Sequence, residues 1–169
     1  MENIPLTLAL LDLFLPLISF IVLIFFGKKL GSYVHWVSLA FIGAMLCVAG
    51  SLFVNIFHHS KTPILSTSIQ WFSTGSFTIN LGFLIDNVAA IMLFVVALIS
   101  SLVHLYSVGY MKGDPRYSRY FAYLGIFTFS MNGIVLADSL LMMYIFWELV
   151  GLSSYLLIGF WFEKDSAAD

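Results

Sequence analysis

The sequence is short of charge: of 169 residues, seven are Lys or Arg and nine are Asp or Glu, so only 9% are charged. A water-soluble domain has roughly a quarter of its residues charged and about 45–50% apolar. Here 61% are hydrophobic, which excludes water as the solvent of most of the chain. A net charge of −2 without a basic cluster excludes nucleic acid as a partner, because phosphate binding needs grouped Lys and Arg. The single cysteine, Cys47, excludes an internal disulfide and a multi-cysteine metal site, and its place in an apolar run assigns it to packing. There is no Gly-rich phosphate cradle followed by Lys, no H-E-x-x-H and no nucleotide fingerprint. The chain thus has no metal site and no cofactor-binding motif of its own, and any redox cofactor has to reside in another chain. Internal repeats, low-complexity tracts and soluble domains are also missing.

What the sequence does have is long apolar runs. A hydrocarbon core of about 30 Å takes about 20 residues at 1.5 Å each, and five runs meet that length: about 5–26, 34–57, 83–107, 120–136 and 140–162. Asp12 interrupts the first and Glu148 the fifth. Seventeen Phe, eight Tyr and four Trp add apolar bulk and interfacial anchors facing the lipid bilayer. Glu2 is acidic, and the first run leads directly into Lys28 and Lys29. That is not the basic start and short apolar core of a secretory signal, so the segment is expected to stay as an anchor. The fold class expected is an all-α integral membrane protein of about five transmembrane helices, one membrane domain over 1–169.

Lys and Arg collect on the cytoplasmic side of short loops. Lys28, Lys29, Lys112, Arg116, Arg119 and Lys164 fall in the odd-numbered loops and the tail, against Lys61 alone on the other side. This places the N-terminus outside and the C-terminus in the cytoplasm. The longest loop, about 58–82, alternates polar and apolar residues around Ser73-Thr74-Gly75-Ser76 and reads as a short extracytoplasmic β-hairpin. A bare hairpin is marginal in water, so it should lean on helix ends or on a neighbouring subunit.

Glu148 falls eight residues into the fifth run, about 12 Å along a helix and near mid-membrane. Intramembrane acids are expensive and commonly functional. Desolvation favours the protonated form and a nearby cation the ionised form, so a carboxyl balanced between them can load and release a proton. Tyr144, Glu148, Gly151 and Tyr155 share one side of the helix. Their spacing predicts an inward-facing stripe in which the two tyrosines support the acid. The competing reading is a glutamate that only fixes packing. In the third run Ala97, Ser100, Ser101, His104 and Ser107 form one broad face. Imidazole ordinarily titrates near neutrality, so His104 is the second relay candidate, and a histidine held by a backbone carbonyl is the alternative. Gly125, Thr128 and Asn132 form a weaker polar line that reads as packing glue. Asp138 and Asp86 are expected as helix caps, and Asp12 as reaching the interface or another helix.

The loop Tyr110-Met111-x-Gly113-Asp114-Pro115-x-Tyr117 is followed by F-T-F-S-M at 127–131, L-A-D at 136–138 and F-W-E-L-V-G-L-S-S-Y-L-L-I-G-F-W at 146–161. With this spacing, Val103 to Asp169 resembles the antiporter-like L subunit (NADH dehydrogenase subunit 5 type) of proton-pumping NADH:quinone oxidoreductase, respiratory complex I. A fainter likeness reaches back to Ser68. The resemblance implies that Glu148, as the glutamate of the W-E motif, lies on the membrane axis and couples with a lysine on a later, interrupted helix. It also implies a fold of more than ten helices with two inverted five-helix repeats, so that this chain represents the N-terminal portion, an incomplete antiporter-like fold. Its setting would be an energy-transducing inner membrane, the plasma membrane in a bacterium. Other membrane subunits would be its partners, and FMN, iron-sulfur clusters and quinone would belong to partner subunits. A multi-subunit cation/proton antiporter or membrane-bound hydrogenase shares the W-E helix and is the alternative within transport. A small five-span packing or assembly protein is the alternative outside it.

Overall fold

A computed structural model of the chain describes residues 3–58, 65–75 and 77–162. The first two helices, α1 (Asn3–Leu30) and α2 (Val34–His58), are joined by a 3-10 turn, Gly31–Tyr33. Gly31 has φ +52°, a left-handed conformation that a side chain disfavours. The turn folds α2 back along α1. Ala9 and Leu13 therefore share a core with Leu52 and Ile56, and Leu23 shares one with Val34. The buried residues of α2, from Val34 and Ser38 through Ile42, Met45, Ala49 and Leu52 to Ile56, recur every three or four positions, one face of a helix. Cys47 lies off that face and is exposed, which corrects its assignment to packing.

Strands β1 (Leu65–Thr74) and β2 (Phe77–Ile85) form the hairpin. Their antiparallel register runs from Leu65 opposite Ile85 to Thr74 opposite Phe77, with a bulge at Trp71. Because 83–85 pair with 65–67, the third helix starts later than the apolar run: α3 spans Asn87–Tyr110, not 83–107. Asp86 caps it as expected, accepting from the Ala89 N–H at 2.7 Å. The hairpin leans on a helix turn. Phe83 pairs with Ala137, and the Asp138 N–H donates to the Gly82 carbonyl at 3.2 Å. With its backbone committed to the strand, Asp138 does not cap the next helix. Ser139 does so, its hydroxyl accepting from the Met142 N–H at 3.3 Å.

The remaining helices are α4 (Tyr117–Leu136) and α5 (Leu140–Ile158), the latter continued by a 3-10 turn, Gly159–Trp161. Length and composition qualify three stretches as candidate membrane spans: Ile4–His58, Asn87–Tyr110 and Leu140–Trp161. The first, at 55 residues, would measure about 82 Å as a single rod, and the Gly31 turn divides it. Helix α4 is not among them, yet it packs against α1, α2, α3 and α5. Phe121, Ala122, Leu124, Gly125, Thr128, Ser130, Asn132, Gly133 and Leu136 are all buried. A helix enclosed by protein can be less apolar than its neighbours, because protein satisfies its polar groups and lipid could not.

Polarity is also sorted by end. The Ser118 hydroxyl donates to the Leu23 carbonyl at 3.0 Å, the Trp161 indole donates to Asp114 at 2.9 Å, and the Arg116 guanidinium lies 5.1 Å from the Phe160 ring centre. The end of α1, the α3–α4 loop and the end of α5 therefore lie together. Lys28, Lys29, Lys112, Arg116 and Arg119 belong to this end, and the hairpin to the other. Lys61 and Lys164 lie outside the described residues.

Gly125 sets the spacing of α1 and α4. A Cβ there would stand 3.0 Å from the Pro16 carbonyl oxygen and 3.3 Å from the Phe20 nitrogen, both backbone atoms that yield only if a helix moves. Gly125→Leu is expected to destabilise the packed helices by about 1–3 kcal/mol through overpacking, with Gly125→Ala milder. Thermal unfolding of the detergent-solubilised protein checks this, and a Gly125→Leu variant as stable as wild type would refute the close contact.

Candidate functional site

Three polar groupings lie within the helices. The first is the α5 stripe. Tyr144 is 61% and Tyr155 72% exposed, and Glu148 and Gly151 are exposed as well. Tyr144 stands one turn before Glu148 on the same side of the helix, near enough for the carboxylate to act on it electrostatically. Tyr155, nearly two turns further on, is separated from the acid by Gly151. The expectation that this stripe faces inward is corrected within this chain. Helix α5 packs chiefly on α4 through a face that buries only Met142 and Ser153, and the stripe looks the other way. Its open side also carries Trp147, 65% exposed.

The second grouping joins α3 to α4. His104 is fully buried, and its Nδ1 lies 2.8 Å from the Ser100 carbonyl and 3.3 Å from the Ser100 hydroxyl. The carbonyl can only accept, so Nδ1 carries the hydrogen in that bond. Nε2 has no partner, and the ring packs 6.1 Å from that of Phe121. The Ser100 hydroxyl meets the Thr128 hydroxyl at 2.7 Å, and nearer the basic end Ser107 lies 3.4 Å from the Tyr120 hydroxyl. The two sequence faces thus meet. Thr128, expected as packing glue, continues the His104 line into α4. His104 and Glu148 are not brought together, since one is enclosed among helices and the other is on the open face of α5.

The third grouping joins α1 to α4. Asp12 and Asn132 are fully buried. The Asn132 side-chain amide donates to Asp12 Oδ2 at 3.0 Å and to the Asp12 main-chain carbonyl at 3.1 Å, with the Met45 sulfur 3.6 Å away. Of the two environments expected for Asp12, the interface or another helix, the structure gives the second, and α4 is the partner. The available signal was an acid and an amide each isolated in an apolar helix, both needing a protein partner. Which helices adjoin was not readable from either residue. Among the described residues no three His, Cys, Asp or Glu side chains come together as a metal site would require.

Residues 71–121 match the family described as NADH-Ubiquinone oxidoreductase (complex I), chain 5 N-terminus. Residues 137–169, which include Glu148 and its stripe, match NADH:quinone oxidoreductase/Mrp antiporter, TM. The chain belongs to the antiporter-like chain 5 family of complex I. It is 45% identical over 129 residues to NAD(P)H-quinone oxidoreductase chain 5 of Synechocystis sp., covering 76% of this chain and 18% of that protein. Its identity to the chloroplastic subunit 5 of Mesostigma viride is 48% over 110 residues, 65% of this chain and 17% of the relative. The F(420)H(2) dehydrogenase subunit L of Methanosarcina mazei is 41% identical over 154 residues, 91% of this chain and 22% of that subunit. The chain therefore spans about a fifth of the length of these relatives. A chain of the membrane-bound sulfane sulfur reductase, an archaeal respiratory membrane complex, has the same fold over 95% of this chain and 31% of its own length, with TM-score 0.78 at 21% identity.

Proposed function

We propose that this chain supplies five membrane crossings of a proton-translocating subunit of NADH:quinone oxidoreductase, in which Glu148 is a proton-relay group. The observation that carries the reading is a carboxylate, one turn from Tyr144, in the middle of an apolar helix within the antiporter-family segment. It stands on a face that the other four helices leave open. An acid there has to be covered by protein or water, not lipid. The reading covers it with further helices of the same subunit, one of which brings the lysine that pairs with it. Glu148 then alternates between protonated and ionised forms as that cation approaches and withdraws. His104 is the second relay candidate, toward the basic end.

The relatives' names support a division of labour. They are subunits of NAD(P)H-quinone oxidoreductases and of an F(420)H(2) dehydrogenase, so one membrane segment accompanies different electron donors. In this reading FMN, the iron-sulfur clusters and quinone belong to partner subunits, and no electron passes through Glu148. The membrane is an energy-transducing one. Helix α4 crosses it despite its modest hydropathy because protein surrounds it, the hairpin lies outside, and the basic end faces the cytoplasm. In intact inverted vesicles Lys112→Cys, in a Cys47→Ser background, is expected to react with a membrane-impermeant thiol reagent, and in right-side-out vesicles to be protected. The opposite pattern reverses the orientation.

In the assembled complex Glu148→Gln is expected to preserve assembly and lower proton pumping by tenfold or more, on the order of general acid–base contributions. The amide keeps size and hydrogen bonding but loses the exchangeable acid proton. Glu148→Asp should fall between Gln and wild type, and Tyr144→Phe should be milder still, since only a hydroxyl on the same face, one turn away, is removed. Proton-to-electron ratios measured in vesicles test the order. A wild-type ratio for assembled Glu148→Gln leaves the glutamate a packing role.

A further inference from the structure

We propose that Asp12 is a second proton-binding group of this segment, a neutral acid whose carboxyl forms a ring of two hydrogen bonds with the Asn132 side chain between α1 and α4. The site is separate from the Glu148 stripe and from the Ser100–His104 line, and the inference does not rest on the role given to Glu148.

Asp12 stands about 14 Å along α1 from Asn3 and has no exposed surface. Four acceptor oxygens meet there: Oδ1, Oδ2 and the main-chain oxygen of Asp12, and Oδ1 of Asn132. One Asn132 amide nitrogen serves two of them, and Oδ1 of each side chain is buried without a partner. An ionised Asp12 is acceptor-only and leaves both orphans in place. Exchanging the amide's oxygen and nitrogen is worse, because its oxygen would then face two oxygens of Asp12. A proton on Asp12 Oδ1 removes both deficits at once. It converts one orphan into a donor and supplies the other, Asn132 Oδ1, with a hydrogen to accept.

The surroundings offer no substitute for that proton. Among the described residues no Lys or Arg is buried. Lys28 and Lys29 are exposed at the opposite end of α1, and the other described cations lie in the α3–α4 loop and the first turn of α4. From α3 the titratable group facing the interior is His104. It packs on Phe121, which is about 16 Å along α4 from Asn132, too far to serve as a counter-ion. From α2 the neighbouring polar atom is the Met45 sulfur. A hard metal cation gathers roughly six or more oxygens, and sulfur is a poor ligand for it. This site offers two unpartnered oxygens, and the backbones are already close at Gly125. A proton needs no more than the two.

The pair also has a hydrogen-bonding neighbour on its basic side. Thr128 is one turn from Asn132 on α4 and bonds Ser100, which bonds His104. The test is infrared difference spectroscopy on the assembled complex at neutral pH, wild type minus Asp12→Asn. Asparagine keeps the shape and an amide–amide pair. The expected difference is the carbonyl-stretch band of a protonated, hydrogen-bonded carboxylic acid, downshifted in deuterium oxide. Asn132→Leu is expected to retain that band and move it to higher frequency as the ring opens. Carboxylate stretching bands in the Asp12 difference overturn the proposal, whether or not pumping changes. If Asp12→Asn fails to assemble, an unshifted acid band in Asn132→Leu overturns it equally. Spectra that change with sodium concentration assign the site to a metal cation instead.

Discussion

A polar side chain withdrawn into a membrane protein must find its partner in protein, and α4 is where this chain meets that constraint. Asn132 reaches α1, Thr128 reaches α3, and Ser118 reaches the Leu23 carbonyl at the basic end. A cross-helix hydrogen bond inside a membrane contributes on the order of 0.6 kcal/mol, so none of these holds the bundle alone. Their effect is positional, because each fixes the rotation and height of a neighbour against α4. Apolar packing then fills the remaining contacts, with Leu13, Leu52, Leu93 and Leu136 in one cluster and Leu23, Val34 and Phe121 in another.

Helix α5 has the opposite character. It is highly apolar and continuous, but nearly all of its surface faces away from the four preceding helices, and its one acid is on the open side. The two helices divide the work of the segment. Helix α4 builds a scaffold through its polar contacts with α1 and α3, and α5 presents a polar stripe on the side turned away from them. The hairpin and Ser139 set the entry angle of α5, since β2 grips the α4–α5 turn at Ala137 and Asp138. Trp161 and Asp114 fasten its far end. A stripe clamped at both ends keeps its side chains in fixed positions relative to the rest of the segment.

Much of this was legible in the amino-acid order. Apolar runs overlap all five helices, though α3 begins four residues later than its run, and the polar–apolar alternation around Gly75 overlaps the hairpin. The W-E motif, together with the loop and helix motifs that precede it, pointed to the family. What escaped depended on which elements touch. Phe83, Leu84 and Ile85 are as apolar as a helix start, and only pairing with Leu65, Ser66 and Thr67 makes them strand. Asp138 and Ser139 are equally good caps, and the choice fell to Ser139 because the Asp138 backbone joins the sheet. The stripe of α5 has the spacing of a buried face, and periodicity does not say which neighbour buries it. Asp12 and Asn132 are 120 positions apart, and no local pattern links them.

The central claim is that polar contacts of α4 organise the segment, and the Asp12–Asn132 contact tests it most directly. A double-mutant cycle of Asp12→Leu, Asn132→Leu and the double variant, read by denaturant unfolding in micelles, isolates the contact. If the account holds, the paired change costs less than the sum of the single ones, with a coupling energy of about 0.5–3 kcal/mol. Strict additivity would mean that the two residues do not act on each other and that this contact does not set α4 against α1.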